Sequence, residues 1–196
     1  MDKGSFREIV HLVASLLVLT IAFSYPSTGM EALGIAAIGV GSGFLLHELA
    51  HKFTAQKYGY VADYEASPMG LLMAIGLSVI TKGSFVFAAP GAVMIRGKWT
   101  HHEDIYSEPA KEFAYISISG AVVNLALAVL FYTASLFVAQ SGLAYAVLTK
   151  SAFINVFLAG FNMIPFGPLD GAKVWRYNPV LWGLVGIPAI ILFFII

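Results

Sequence analysis

The sequence has no cysteine. That excludes a disulfide framework and any thiolate metal site, and it leaves the redox compartment unmarked. Charge is scarce too: 11% of the residues are Asp, Glu, Lys or Arg, against about 25% in an ordinary soluble domain. The eleven basic and eleven acidic residues cancel. There is no basic field to attract nucleic acid and no acidic tail. Internal repeats and low-complexity tracts are also missing. What remains is apolar, with 59% hydrophobic residues and a mean hydropathy of +0.82. The main solvent of such a chain is lipid. A length of 196 residues holds a handful of membrane spans and their loops, with no room for a sizeable soluble domain, so residues 1–196 read as one core.

A crossing helix needs about 20 mostly apolar residues. Runs of that kind lie at Ile9–Tyr25, Glu31–Lys52, Phe113–Ala139, Ala144–Pro165 and Pro179–Ile196. The first has Lys3 and Arg7 ahead of it but no small-x-small cleavage site behind it, so it reads as a retained span. Pro68–Thr81 is apolar but short, which favours a re-entrant element. Charge supports that choice. With the N-terminus in the cytoplasm and Pro68–Thr81 not crossing, every Lys and Arg except Lys150 falls on the cytoplasmic side, Lys82 included. Ser84–Ile95 is rich in β-formers around a Pro90-Gly91 turn signal and reads as a short hairpin or edge strand at the membrane surface. The fold class expected is an all-α multi-pass membrane protein of about five transmembrane helices, with a re-entrant segment and a short β-hairpin or edge strand. Gly39 and Gly43 have the spacing of close helix packing. Trp175, Tyr177, Trp182 and His11 read as interfacial side chains. Arg96–Glu108 is the most polar stretch and reads as a loop.

The second run ends in His47-Glu48-Leu49-Ala50-His51. On a helix, His47 and His51 share a face one turn apart. Two imidazoles so placed hold one Zn²⁺, and the adjacent Glu48 is placed to take a proton from water. Ionisable groups inside a span cost about 2.5–3.5 kcal/mol each on insertion scales, so three together argue for function. A catalytic zinc site has three protein ligands and an open position. Asp63, Glu65, His101 and His102 are all alternatives for the third. Asp170 is favoured, because it follows the fourth run directly. With Pro68–Thr81 re-entrant, the second and fourth runs end on the same, cytoplasmic side.

Two motifs now stand together: HExxH in one span, and Asn162-Met-Ile-Pro-Phe-Gly-Pro-Leu-Asp170-Gly171 after a later one. The pair resembles the site-2 protease family of intramembrane zinc metalloproteases, in a minimal core form with the catalytic part at about residues 31–176. The resemblance implies His47, His51 and Asp170 as ligands of one zinc, Glu48 as the general base and Asn162 as a catalytic residue that holds substrate or oxyanion. It also implies a transmembrane protein or peptide as substrate, cut at a transmembrane or membrane-proximal peptide bond, and with the charge bias and span count above the active site is expected nearer the cytoplasmic side of the cell membrane. The family's Gly-Pro-x-x-Asn element corresponds to Gly120-Ala121-Val122-Val123-Asn124 here, with Ala121 in place of Pro. Asn124 reads equally as an interhelical hydrogen-bonder and as a substrate contact. Cleaving a helix requires unwinding it, and the freed backbone then needs partners. Strand addition onto Ser84–Ile95 would provide them, which makes Phe85, Phe87 and Ala89 the other candidate substrate-binding residues. The rival reading is a membrane metal-binding or metal-transport protein without proteolytic activity. No oligomeric state can be read from the sequence.

Overall fold

The computed structural model describes residues 3–98 and 109–196. Among them, four helical stretches are long and apolar enough to cross a membrane. They are α1 (Lys3–Ser24), the stretch Met30–Lys57, α5 (Pro109–Ser135) and α6 (Leu143–Asn162). Met30–Lys57 consists of α2 (Met30–Val40) and α3 (Leu46–Lys57), joined by a π-helical turn at Gly41–Leu45. Shorter helices are α4 (Pro68–Ile80), α7 (Asp170–Tyr177) and α8 (Pro179–Ile195), and two strands, β1 (Tyr60–Ala66) and β2 (Gly91–Lys98), form an antiparallel pair. The all-α membrane architecture with a small β element is the one expected.

Small residues set the helix packing. A Cβ on Gly39 would lie 2.7 Å from Ile154 Cδ1, and one on Gly43 2.7 Å from Leu158 Cδ1. The expected glycine pair is therefore the seam that presses α2 and the π turn onto α6, as small residues do where lipid gives helices no hydrophobic drive to associate. One apolar cluster (Leu19, Phe44, Tyr64, Ile154, Leu158) joins α1, the π turn, β1 and α6. A second (Ile118, Ala159, Met163, Val174, Val185) joins α5, α6, α7 and α8.

Helix α4 runs out and the chain comes back beside α1. Ser67 caps the start of α4, its side chain accepting from Gly70 N, with Pro68 in the first turn. The buried stripe Gly70, Ala74, Ser78 follows at helical spacing, and Ser78 Oγ donates to Ala22 O at 2.8 Å. At the far end, Gly83 packs on Tyr25, where a Cβ would come within 2.2 Å of the Tyr25 carbonyl oxygen. The chain then returns in extended form, and Ser67 N donates to Pro90 O at 2.8 Å, closing the excursion at its base. Lys82 therefore sits beside the C-terminal end of α1, not at its N-terminal end where charge bias had placed it. Positive-inside counting works on loops, and it misplaces a residue at the tip of an excursion.

The β element differs in detail from its expectation. Pro90-Gly91 is not the turn of a hairpin. It is the point where the return segment enters β2, whose partner is β1 in the register Tyr64↔Val93 and Ala66↔Gly91. Asp63 and Glu65, alternatives for the third ligand, lie in β1, where Tyr60, Ala62 and Tyr64 alternate inward between them, the period-2 pattern of a strand. Helix α1 covers the other edge of β1: Tyr64 N donates to Glu8 Oε1 at 3.1 Å and Ala66 N to His11 Nδ1 at 3.2 Å. His11 is thus a strand-edge acceptor rather than an interfacial side chain. Lys52 Nζ, 2.6 Å from both Glu8 oxygens, ties this corner to α3.

Candidate metal centre

The π turn delivers α3 with His47, Glu48 and His51 all buried. The two rings sit edge to face with centroids 4.5 Å apart, as a one-turn spacing dictates. Asp170 arrives from the other half of the chain. Helix α6 ends at Asn162, a short loop reverses the chain, and Asp170 opens α7. Gly171 makes that reversal tight: a Cβ there would fall 2.2 Å from Met163 O, so only glycine admits the approach. Trp182 Nε1 donates to the same Met163 carbonyl at 2.6 Å. Its indole is a clamp on the ligand loop, not merely a member of an interfacial belt.

The result is a triangle of acceptors. His47 Nε2 lies 2.9 Å from His51 Nε2, and Asp170 Oδ2 lies 3.0 Å from His51 Nε2 and 3.6 Å from His47 Nε2. The neighbours fix both ring tautomers. His51 Nδ1 is 2.7 Å from Ile116 O, which can only accept, so Nδ1 carries the proton. His47 Nδ1 is 2.5 Å from Asn124 Oδ1. Asn124 Nδ2 donates to Gly43 O at 3.1 Å and to Asn155 Oδ1 at 2.9 Å, so the Asn124 oxygen must be the acceptor from His47. In its neutral form each ring therefore turns an Nε2 lone pair toward the Asp170 carboxylate. Two buried imidazole acceptors and a partly buried carboxylate in contact are unfavourable unless a cation lies among them. A proton serves one pair at a time, whereas an ion about 2.0–2.2 Å from each donor atom serves all three, and zinc has that radius and that taste for N and O ligands. Among the described residues, His47, His51 and Asp170 are the group whose donor atoms suit a metal, all lying within 4.8 Å of one another. Burial pushes the Asp170 carboxyl up, but His51, His47 and Lys173 around it outweigh burial and hold it well below the usual carboxylate range. It is ionised, the state in which a carboxylate can bind a metal. Lys173 Nζ donates to its other oxygen at 3.1 Å.

Glu48 Oε2 is buried and has no hydrogen-bond partner among the described residues. Glu48, the two histidines, Asp170 and Asn162 line one cavity of about 440 Å³, a normal size for a ligand site. Phe87, Ala88 and Ala89 from the return segment and Val93 and Ile95 from β2 form its wall. Of the residues singled out from sequence, Phe87 and Ala89 thus reach the cavity. Phe85 does not: it lines a second, apolar pocket of about 290 Å³ with Phe157, Phe161 and Phe193. Nor does Asn124. It is fully buried, and its amide is committed to His47, Gly43 and Asn155. Of the alternative third ligands, Glu65 pairs with Arg96 and Asp63 faces Lys52 at 4.0 Å. His101 and His102 lie outside the described residues.

Sequence reading named Gly120 in the element that ends at Asn124 but gave it no role. A Cβ on it would sit 2.6 Å from the His47 ring, so this glycine is what lets α5 pass over the first histidine. Its four-residue spacing from Asn124 was the available signal: both lie on one helical face, and both touch His47.

No protein-family model and no solved structure matches the chain. Named proteins do. "Putative zinc metalloprotease MJ0611" of Methanocaldococcus jannaschii is 39% identical over 188 residues, 96% of this chain and 93% of that protein. The chain belongs to the site-2 protease family of zinc metalloproteases. YwhC of Bacillus subtilis, named in the same words, is 28% identical over 76% of this chain and 70% of its own length. Zinc metalloprotease MJ0392 of M. jannaschii is 26% identical over 67% of this chain, which spans 30% of that longer protein. As a site-2 protease relative the chain is a membrane protein whose cofactor is zinc, and the acceptor triangle is the donor set that fits it.

Proposed function

We propose that the protein cleaves a peptide bond of a membrane-protein substrate inside the bilayer, with His47, His51 and Asp170 holding zinc and Glu48 as general base. The observation that carries this reading is the triangle of two buried imidazole acceptors and one partly buried carboxylate, beside a buried Glu48 oxygen that has no partner among the described residues, all facing one cavity. Bound zinc supplies Lewis acidity toward water and the scissile carbonyl. The Glu48 carboxylate accepts the proton of the attacking water. The water oxygen bonds to the carbonyl carbon, the C–N bond breaks, and Glu48 returns the proton to the departing amine. Asn162 Nδ2 donates to Leu158 O at 3.0 Å. That bond holds the amide at the cavity wall, where it can steady the substrate carbonyl.

The wall itself suits an unwound helix. Tyr64 and Ala66 turn their N–H groups to α1, so in an antiparallel ladder their partners Val93 and Gly91 turn theirs to the opposite edge. That edge faces the cavity. Ahead of it, the backbone of Val86–Ala89 has no hydrogen-bond partner among the described residues, although Val86 and Ala88 are buried. Unpaired backbone at membrane depth is tolerated only against protein or a wet cavity, and an added strand satisfies it. The substrate thus lies along residues 86–95, between Phe87 and the metal centre. Because α3 and α6 end together at the metal, with α5 and α6 between them, α4 returns rather than crosses. The remaining Lys and Arg bias then puts the site on the cytoplasmic side.

In proteoliposomes carrying a single-span reporter, Glu48→Gln should lower cleavage by about 10²–10⁴-fold, the usual worth of a general base, with zinc content unchanged. Wild-type cleavage by Glu48→Gln, or zinc flux without any cleavage by the native protein, would overturn the reading.

A further inference from the structure

Asn155 lies on α6, two turns before Asn162, fully buried and outside the cavity. It ends a chain of amides. Asn155 Nδ2 donates to Ser151 O at 2.9 Å, and since a carbonyl can only accept, Asn155 Oδ1 must point the other way, where it accepts from Asn124 Nδ2 at 2.9 Å. The second hydrogen of Asn124 Nδ2 goes to Gly43 O. That carbonyl belongs to the π turn and also receives the Leu46 N–H. With both amide hydrogens engaged, Asn124 has only its oxygen to offer His47 Nδ1.

We infer that Asn155 is a positioning residue for the metal centre: by accepting from Asn124 it fixes the His47 tautomer that presents the Nε2 lone pair. The inference rests on the reading of His47 as a zinc ligand. Without the Asn155 acceptor, only the Gly43 carbonyl still holds the Asn124 Nδ2, and the amide turns over more readily to offer Nδ2 to His47 Nδ1. The ring proton then moves to Nε2, and that nitrogen is lost to the metal. Partners outside the ligand shell act on metals in this way, and losing one typically lowers affinity about 10–100-fold. Position 155 does not line the cavity, so a direct substrate contact is not part of the expectation.

The test uses the full chain in detergent and zinc ion alone, in competition with a chelator of known affinity. Asn155→Leu should weaken zinc by about tenfold or more, and should weaken it no further in an Asn124→Leu background, because the two residues act through one path. Unchanged affinity in Asn155→Leu, or losses that add, would contradict the inference. Nitrogen-15 spectra of metal-free wild-type protein give a readout that needs no variant to fold: His47 should be protonated at Nδ1. An Nε2–H ring would overturn the relay outright. His47→Ala separates the two levels of argument. If it still binds zinc as wild type does, the metal-site reading fails, and the role of Asn155 fails with it.

Discussion

At the scale of single residues the centre is built by exclusion as much as by ligation. Gly120 leaves His47 no slack: a Cβ there would overlap the ring at 2.6–2.7 Å. Gly120→Ala adds one methyl group, and overpacking of this kind costs about 1–3 kcal/mol. Because the obstructed group is a ligand in the proposed site rather than a core side chain, the cost should fall on the metal. Zinc affinity is expected to drop about tenfold or more, while helical circular dichroism stays that of wild type. Unaltered affinity would mean that α5 shifts to make room. His47, Glu48 and His51 were legible in five consecutive letters, because helical spacing is local. Asp170 was legible from counting spans. Gly120 and Asn155 were not, since their roles exist only once α5 and α6 are laid against α3.

The elements divide the same way. Long helices announce themselves by apolar length, and each expected span has a helix over it. Strand β1 hid behind Asp63 and Glu65, whose charge masked the alternation of Tyr60, Ala62 and Tyr64. No local signal tells that Glu8 and His11 of α1 will cap its edge, leaving the β2 edge and the return segment as the unpaired side. This asymmetry makes a prediction. The Ala88 N–H has no partner to lose among the described residues, so Ala88→Pro removes a donor that only an added strand would use. It should slow cleavage of the membrane reporter about tenfold or more, since substrate binding here depends on main-chain hydrogen bonds. Zinc content should be normal. Cleavage at the wild-type rate would remove strand addition at this segment from the account.

For the whole molecule the telling feature is the excursion of α4 and its return. Charge bias and structure agree that this segment does not cross, and they disagree on Lys82. The chain has no native cysteine, so single cysteines report sidedness without background. Ser27→Cys, Ser141→Cys and Lys82→Cys should react with an impermeant thiol reagent from one face of sealed vesicles, and Lys57→Cys from the other. Lys82→Cys labelling with Lys57→Cys would place the α4 tip where charge alone had put it, and would refute the packing of Gly83 on Tyr25. The central claim is that two distant stretches of chain close on one ion. An anomalous-scattering map of the purified protein at the zinc edge tests it most directly. The account predicts a single peak bound by His47 Nε2, His51 Nε2 and Asp170 Oδ2 and by no other side chain. A peak without Asp170 among its ligands, or no peak in protein that still cleaves, would contradict it.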